Sequence, residues 1–299
     1  MPSLKEVRNR INSVRSTQQI TKAMKMVAAA KLRKAQDNIL QMRPYSQRLQ
    51  GILNNVIASE ETQAEDNPFA AVRSVNRVLV VVITSDRGLC GSFNSNVVKT
   101  ATALIDEKYA DQKKAGGVSV MCIGRRGRDF FKRRNYQVIE DYTELFHALR
   151  FDQVRAAAEY AMHGFVNKQF DQVEVVYNEF KNVATQIVRA NQFLPLLPSS
   201  PTAAAKAKEA SNTDYLYEPN KAVLVQELLP KSLKITFYKS LLESFASEHG
   251  ARMTAMDKAT ENAGELLKEL KLTYNRSRQA SITKEILEIV GGAEALANG

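Results

Sequence analysis

Cysteine and histidine are scarce in this 299-residue chain. The two cysteines, Cys90 and Cys122, sit in apolar surroundings and read as free thiols of a reducing compartment. The three histidines, His147, His163 and His249, are scattered without metal-ligand spacing and read as structural. No Ser/His/Asp set and no carboxylate pair stands out, so the sequence offers no active site and implies no cofactor or metal. No apolar run approaches the roughly 20 residues of a membrane span. The longest, Val78 to Ile83, suits a buried strand. The first residues carry charge with no apolar stretch behind it, so neither a secretory signal nor a transit peptide is expected.

Acidic residues are also scarce, but only at one end. Residues 1–50 hold eleven Lys/Arg against Glu6 and Asp37, a net +9, while the whole chain is +10. Residues 239–299 hold eight basic and nine acidic residues. Positive charge concentrated in this way points to an acidic partner: nucleic acid, an anionic lipid surface, or acidic protein loops.

What is present at that end is a heptad pattern. One column runs Leu4, Ile11, Gln18, Lys25, Leu32, Ile39, Ser46, Leu53; the other runs Val7, Val14, Thr21, Ala28, Ala35, Met42, Leu49, Val56. Twelve of the sixteen are apolar and the phase never slips. A period of 3.5 held this long predicts a left-handed coiled-coil seam on a helix of about 80 Å. Pro2 and Ser3 suit its start, and Pro44 is a local flaw.

A polar linker over 58–74 separates this arm from a different texture. Val75 to Thr84 and Val118 to Ile123 read as buried strands. Asn94 to about Lys113, the segment opened by Gly124, and Asp152 to Lys168 read as helices. Val173 to Phe180 and Thr185 to Phe193 read as two more strands. The alternation predicts an α/β layer with a largely parallel sheet over 75–194. A Pro- and Ala/Lys-rich loop with a following segment occupies 195–218. Helical texture returns near Pro219, with a joint expected at Pro230, and runs to 299. Its seam passes through Leu242, Phe245, Met256, Ala263, Leu266, Leu270 and Tyr274. Two seams at opposite ends of one chain can satisfy each other as an antiparallel pair. The predicted fold is therefore a long antiparallel coiled coil of N- and C-terminal helices with an inserted Rossmann-like α/β domain.

Four stretches, in order, resemble the gamma subunits of F-type ATP synthases. They are Ile20 to Lys31, Thr84 to Gly91, Asp214 to Pro219, and Glu248 to Val290; the last includes Tyr274-Asn275-Arg276-Ser277-Arg278-Gln279-Ala280-Ser281-Ile282-Thr283. The resemblance implies a non-catalytic rotor seated in a hexamer of alpha and beta subunits, resting on a ring of c subunits and binding epsilon. The complex, not this chain, would be the proton-transporting ATPase. The chain lacks the cysteine pair that makes the chloroplast form a redox switch, so no thiol regulation is expected.

Each site candidate has a plain and a functional reading. Lys22, Lys25, Lys31 and Arg33 are either a solvated face or, by resemblance, contacts for acidic loops of beta. The run Ser85-Asp86-Arg87-Gly88-Leu89-Cys90-Gly91 follows a strand and precedes a helix but has neither phosphate-loop spacing. It is a tight turn, or, by resemblance, a turn that aims Arg87 at the same loops. Arg278, Gln279 and Thr283 occupy positions that in the family engage a catch loop of beta, and Arg252 is a further candidate of the same kind; otherwise they are surface polar residues. Ile282, Ile286, Ile289 and Val290 form an apolar tip that docks on the chain itself or turns in an apolar sleeve. Tyr215, Tyr217 and Glu218 match the family's foot on the c ring, or form a turn. The alternative function is a basic coiled-coil scaffold for nucleic acid or an anionic membrane. Aromatic interleaving for single strands is missing, since only Tyr45 occurs in residues 1–50.

Overall fold

A computed structural model describes residues 3–58, 68–147, 149–196 and 221–297. Helix α1 runs Leu4–Ala58. Its first turn is capped by Ser3, whose Oγ accepts the Glu6 N–H at 3.2 Å. Along α1, every position of the two heptad columns through Leu49 is buried or half-buried, and the positions between them are mostly exposed.

Strand β1 (Val78–Ile83) is the centre of a five-stranded sheet, and all six residues are buried. It is flanked by β2 (Val118–Ile123) and β4 (Gln172–Phe180), both parallel to it. β3 (Gln137–Ile139) pairs parallel to β2, and β5 (Gln186–Leu194) pairs antiparallel to β4, giving the order β3-β2-β1-β4-β5. α2 (Phe93–Lys108), α3 (Ala110–Lys114) and α4 (Arg125–Arg133) lie in the crossovers on one side of β1. α5 (Phe151–Val166) leads back to β4. Side chains alternate across β1. Val78, Val80 and Val82 pack with Val97, Ala101, Ile105 and Phe131 of α2 and α4. Leu79, Val81 and Ile83 pack with Val154, Ala161 and Phe165 of α5 and with Leu233, Phe237 and Leu241 of α6 (Lys221–Ala297). Both faces are thus covered, as a parallel sheet requires.

Four details differ from the sequence reading. β1 begins at Val78, not Val75, because the Asn76 and Arg77 N–H groups donate to the Asp171 carboxylate, each at 2.9 Å, instead of joining the ladder. The helix expected over 94–113 breaks at Tyr109. That ring is buried, and its hydroxyl donates to Glu174 at 2.7 Å. β3 and a 3₁₀ turn at Thr143–Phe146 are additional. Pro230 is no joint: α6 continues through it. The backbone bond that proline forfeits is offset by its neighbours. Leu229 and Ile235 bury against Leu49 of α1, while Leu233 enters the sheet core.

The chain divides into two compact units, Met1–Ala28 with Met253–Gly299, and Ala29–Arg252. Within the first, the helices run antiparallel: Gln18 and Thr21 hydrogen-bond at Thr260, while Lys25, further along α1, pairs with Asp257, earlier on α6. Val7, Thr21 and Ala28 are buried there, as are Met256, Ala263, Leu267 and Leu270. Within the second, Leu32 and Ala35 meet Ala246. The linker expected over 58–74 and the loop and foot over 195–218 lie largely outside the described residues, and so do Tyr215, Tyr217 and Glu218.

Candidate functional site

Strand order reverses direction of growth at β1, between β2 and β4. In open α/β sheets, ligands bind beyond the carboxyl ends of the strands at this switch point. Here the end of β1 leads into the Ser85–Gly91 turn, and the end of β4 holds Asn178. The chain's own helix α6 reaches both. Ser247 donates its hydroxyl to the Asn178 carbonyl at 3.2 Å. Arg252 donates to the Gly88 carbonyl at 2.5 Å and to the Arg87 carbonyl at 3.4 Å, and pairs with Glu248 one helical turn earlier. Ser244, Ser247, Glu248, His249 and Arg252 are all buried. A phosphate would have to displace a carboxylate and a filled helix face, so the geometry disfavours nucleotide at this place.

The turn is rigid for several independent reasons. The Ser85 hydroxyl donates to the Arg87 carbonyl at 2.6 Å, and the Ser85 N–H donates to Asn94 Oδ1 at 2.9 Å. Asp86 accepts the Arg125 N–H at 3.1 Å. Leu89 has φ of +65°, a left-handed conformation uncommon for a branched apolar residue, and Leu89 is 66% exposed. Arg87 is exposed, while Cys90 is buried. Burial pushes the Cys90 thiol up, and pushes the Cys122 thiol to about 12, so neither is a ready thiolate. Burial also raises the Glu248 carboxyl against the pull of Arg252. Burial, with Lys31 and Arg252 nearby, holds His249 down to about 3; it is neutral, and neither ring nitrogen has a hydrogen-bond partner.

Arg252 therefore departs from the surface role expected of it. At 8% exposure its fork is consumed by two carbonyls and a carboxylate of this chain. Lys25 likewise is paired, with Asp257. Lys22, Lys31 and Arg33 are exposed and form no ion pair among the described residues. Arg278, Gln279 and Thr283 are exposed on α6, and the Thr283 hydroxyl donates back to the Gln279 carbonyl at 2.9 Å. Ile282, Ile286, Ile289 and Val290 follow, 48–71% exposed, with Leu287 beside them at 65%. The sequence reading passed over Leu287, Leu89 and the Glu248 partner of Arg252. Only the last had a visible signal, the four-residue spacing of opposite charges on a helix.

Comparison with known proteins gives one answer. A family model described as ATP synthase matches residues 3–296. The ATP synthase gamma chain of Cytophaga hutchinsonii is 60% identical over 298 residues, with all of both chains covered. That of Flavobacterium psychrophilum is 52% identical, with 99% of each covered. Among solved structures, a chain of the Euglena gracilis mitochondrial ATP synthase (OSCP/F1/c-ring, rotational state 3) shares the fold. Its TM-score is 0.65 at 21% identity, over 99% of this chain and 95% of that one. A chain of the Tetrahymena thermophila mitochondrial ATP synthase central stalk and c-ring matches at TM-score 0.53 and 25% identity, over 80% and 99%. The fold and these relatives together define a non-catalytic subunit of an ATP synthase. The chain belongs to the family of ATP synthase gamma chains.

Proposed function

We propose that this chain is the central rotor of a proton-translocating F-type ATP synthase, turned by a c ring and acting in sequence on the beta subunits of a hexamer with alpha. One observation carries the reading. The end of α6 exposes Ile282, Ile286, Leu287, Ile289 and Val290 together, and no described residue covers them. A helix end of this kind is stable when docked. An apolar sleeve suits it, because few directional bonds resist turning. Arg278 and Gln279, just before the tip, and Thr283 at its start can form directed hydrogen bonds that hold the rotor at set angles on a loop of beta. Lys22, Lys31, Arg33 and Arg87 offer unpaired charge to acidic loops of beta; Lys25 shares its charge with Asp257. The rotor acts on each site only as far as its contacts differ between that site's states.

Whole-length kinship to gamma chains leaves the nucleic-acid scaffold reading without support. The remaining partners are epsilon and the c ring, with Tyr215, Tyr217 and Glu218 as the contact on the ring. No described helix is long and apolar enough to cross a membrane. The association is peripheral, and we place it on the cytoplasmic face of a bacterial membrane. The functional parts we propose are the arms 1–57 and 219–299, the linker 58–74, the α/β body 75–194 and the foot segment 195–218.

The test is reconstitution with alpha and beta subunits. A stable complex whose ATPase exceeds that of alpha and beta alone is expected. Failure to assemble, or assembly with no gain in turnover, overturns the rotor reading.

A further inference from the structure

We propose that Arg252 and Glu248 are positioning residues: they lock the Ser85–Gly91 turn in the one shape that presents Arg87 to an acidic partner surface. The inference rests on the reading of Arg87 given above.

The turn's geometry is held from its inner side. Arg252 supplies two N–H groups to consecutive carbonyls, those of Arg87 and Gly88, and a third contact to Glu248. A guanidinium has five donors in a fixed plane and can span such a pair; an ammonium is a point donor and cannot. Glu248 is itself buried, so its carboxylate fixes the plane of the guanidinium and neutralises it. The Ser85 hydroxyl adds a second bond to the Arg87 carbonyl. The three bonds that reach the turn all take hold of its backbone carbonyls. The Arg87 side chain is left outside and forms no ion pair among the described residues.

Two features indicate that the locked shape serves something beyond the fold. Leu89 is held at φ of +65° and yet keeps most of its surface outside, being 66% exposed. A turn optimised only for its own stability would place glycine or asparagine there. Arg87 and Leu89 together offer a charge and an apolar contact two residues apart, which fits a surface with a carboxylate beside an apolar group.

The test is a double-substitution cycle in the reconstituted complex with alpha and beta. Arg87→Ala alone is expected to lower turnover about threefold, and Arg252→Ala alone by about the same factor. The double variant should lose no more than either, a coupling at the lower end of the range for residues that share one network. Arg252→Lys keeps the charge but not the two-carbonyl fork. It should match Arg252→Ala in turnover while the full-length chain melts near the parent temperature. Losses that multiply in the double variant, or full rescue by lysine, overturn the inference and leave the rotor reading standing. A neutral Arg87→Ala overturns the role given to Arg87, and the inference with it.

Discussion

Two stretches of helix α6 differ more than their shared conformation implies. Between Leu229 and Arg252 the helix is buried on several sides: Leu233, Phe237 and Leu241 enter the sheet core, and Ser244 to Arg252 close the switch-point crevice. Beyond Arg278 the same helix is exposed nearly all round, apolar residues included. The first stretch is structural in the strict sense that its surroundings belong to its own chain. The second has an apolar surface that no described residue of its own chain covers. Stability and function are thus separated along one element, and substitutions in the two stretches should fail in different ways.

The largest expected effect is Phe237→Ala. The side chain is fully buried, and its removal should cost the full-length chain about 3–5 kcal/mol in urea unfolding. A loss under about 1 kcal/mol would mean that the helix is not part of the α/β core. Next comes the joint change Arg278→Ala with Gln279→Ala. It should lower turnover of the reconstituted complex about tenfold, or roughly 1.4 kcal/mol, while assembly falls less than twofold. Equal losses would reduce the pair to a docking role.

A smaller effect comes from His249. Its folded pKa lies below the unfolded value, so protons bind the unfolded chain preferentially. Its contribution is complete above about pH 6.5 and is lost as pH falls from there towards 3. Between pH 7.5 and 5.5 the parent should lose about 1 kcal/mol more stability than His249→Phe, measured by urea unfolding at both values. An identical pH slope would show that the imidazole is hydrated. The smallest effect is Ile286→Ser. Unfolding of the isolated chain should move by less than about 0.5 kcal/mol, although affinity for the alpha–beta hexamer should drop. A large stability loss would mean that the tip packs on its own chain and would erase the contrast.

The parts of this fold legible in the sequence are those with a sustained period. The seam of α1 could be followed from Leu4 to Leu49 because each turn repeats the same demand. β1 was visible as an unbroken apolar run and β2 as one interrupted only by Ser119, since both of their faces are covered. β3 was not, because three residues at a sheet edge, Gln137 to Ile139, are exposed or half-buried and carry no run to recognise. The break at Tyr109 depends on a hydroxyl reaching Glu174, a partner 65 residues away. The burial of Arg252 is hidden from the sequence for the same reason. Periodicity places it on α6, but nothing local shows that its fork will meet carbonyls 164 and 165 residues upstream. The exposed tip was legible as an apolar stripe, because its apolar residues recur at helical spacing from Ile282 to Val290.

The seam has one more consequence, and it is mechanical. Two helices whose contacts repeat every 3.5 residues wind about each other with a left hand. A rope of one hand does not answer twist symmetrically: turned in one sense its strands press together, and turned in the other they ease apart. Buried Val7, Ala28, Leu267 and Leu270 would be compressed by the first and relieved by the second. A coiled pair built this way would store elastic strain unequally for clockwise and anticlockwise load.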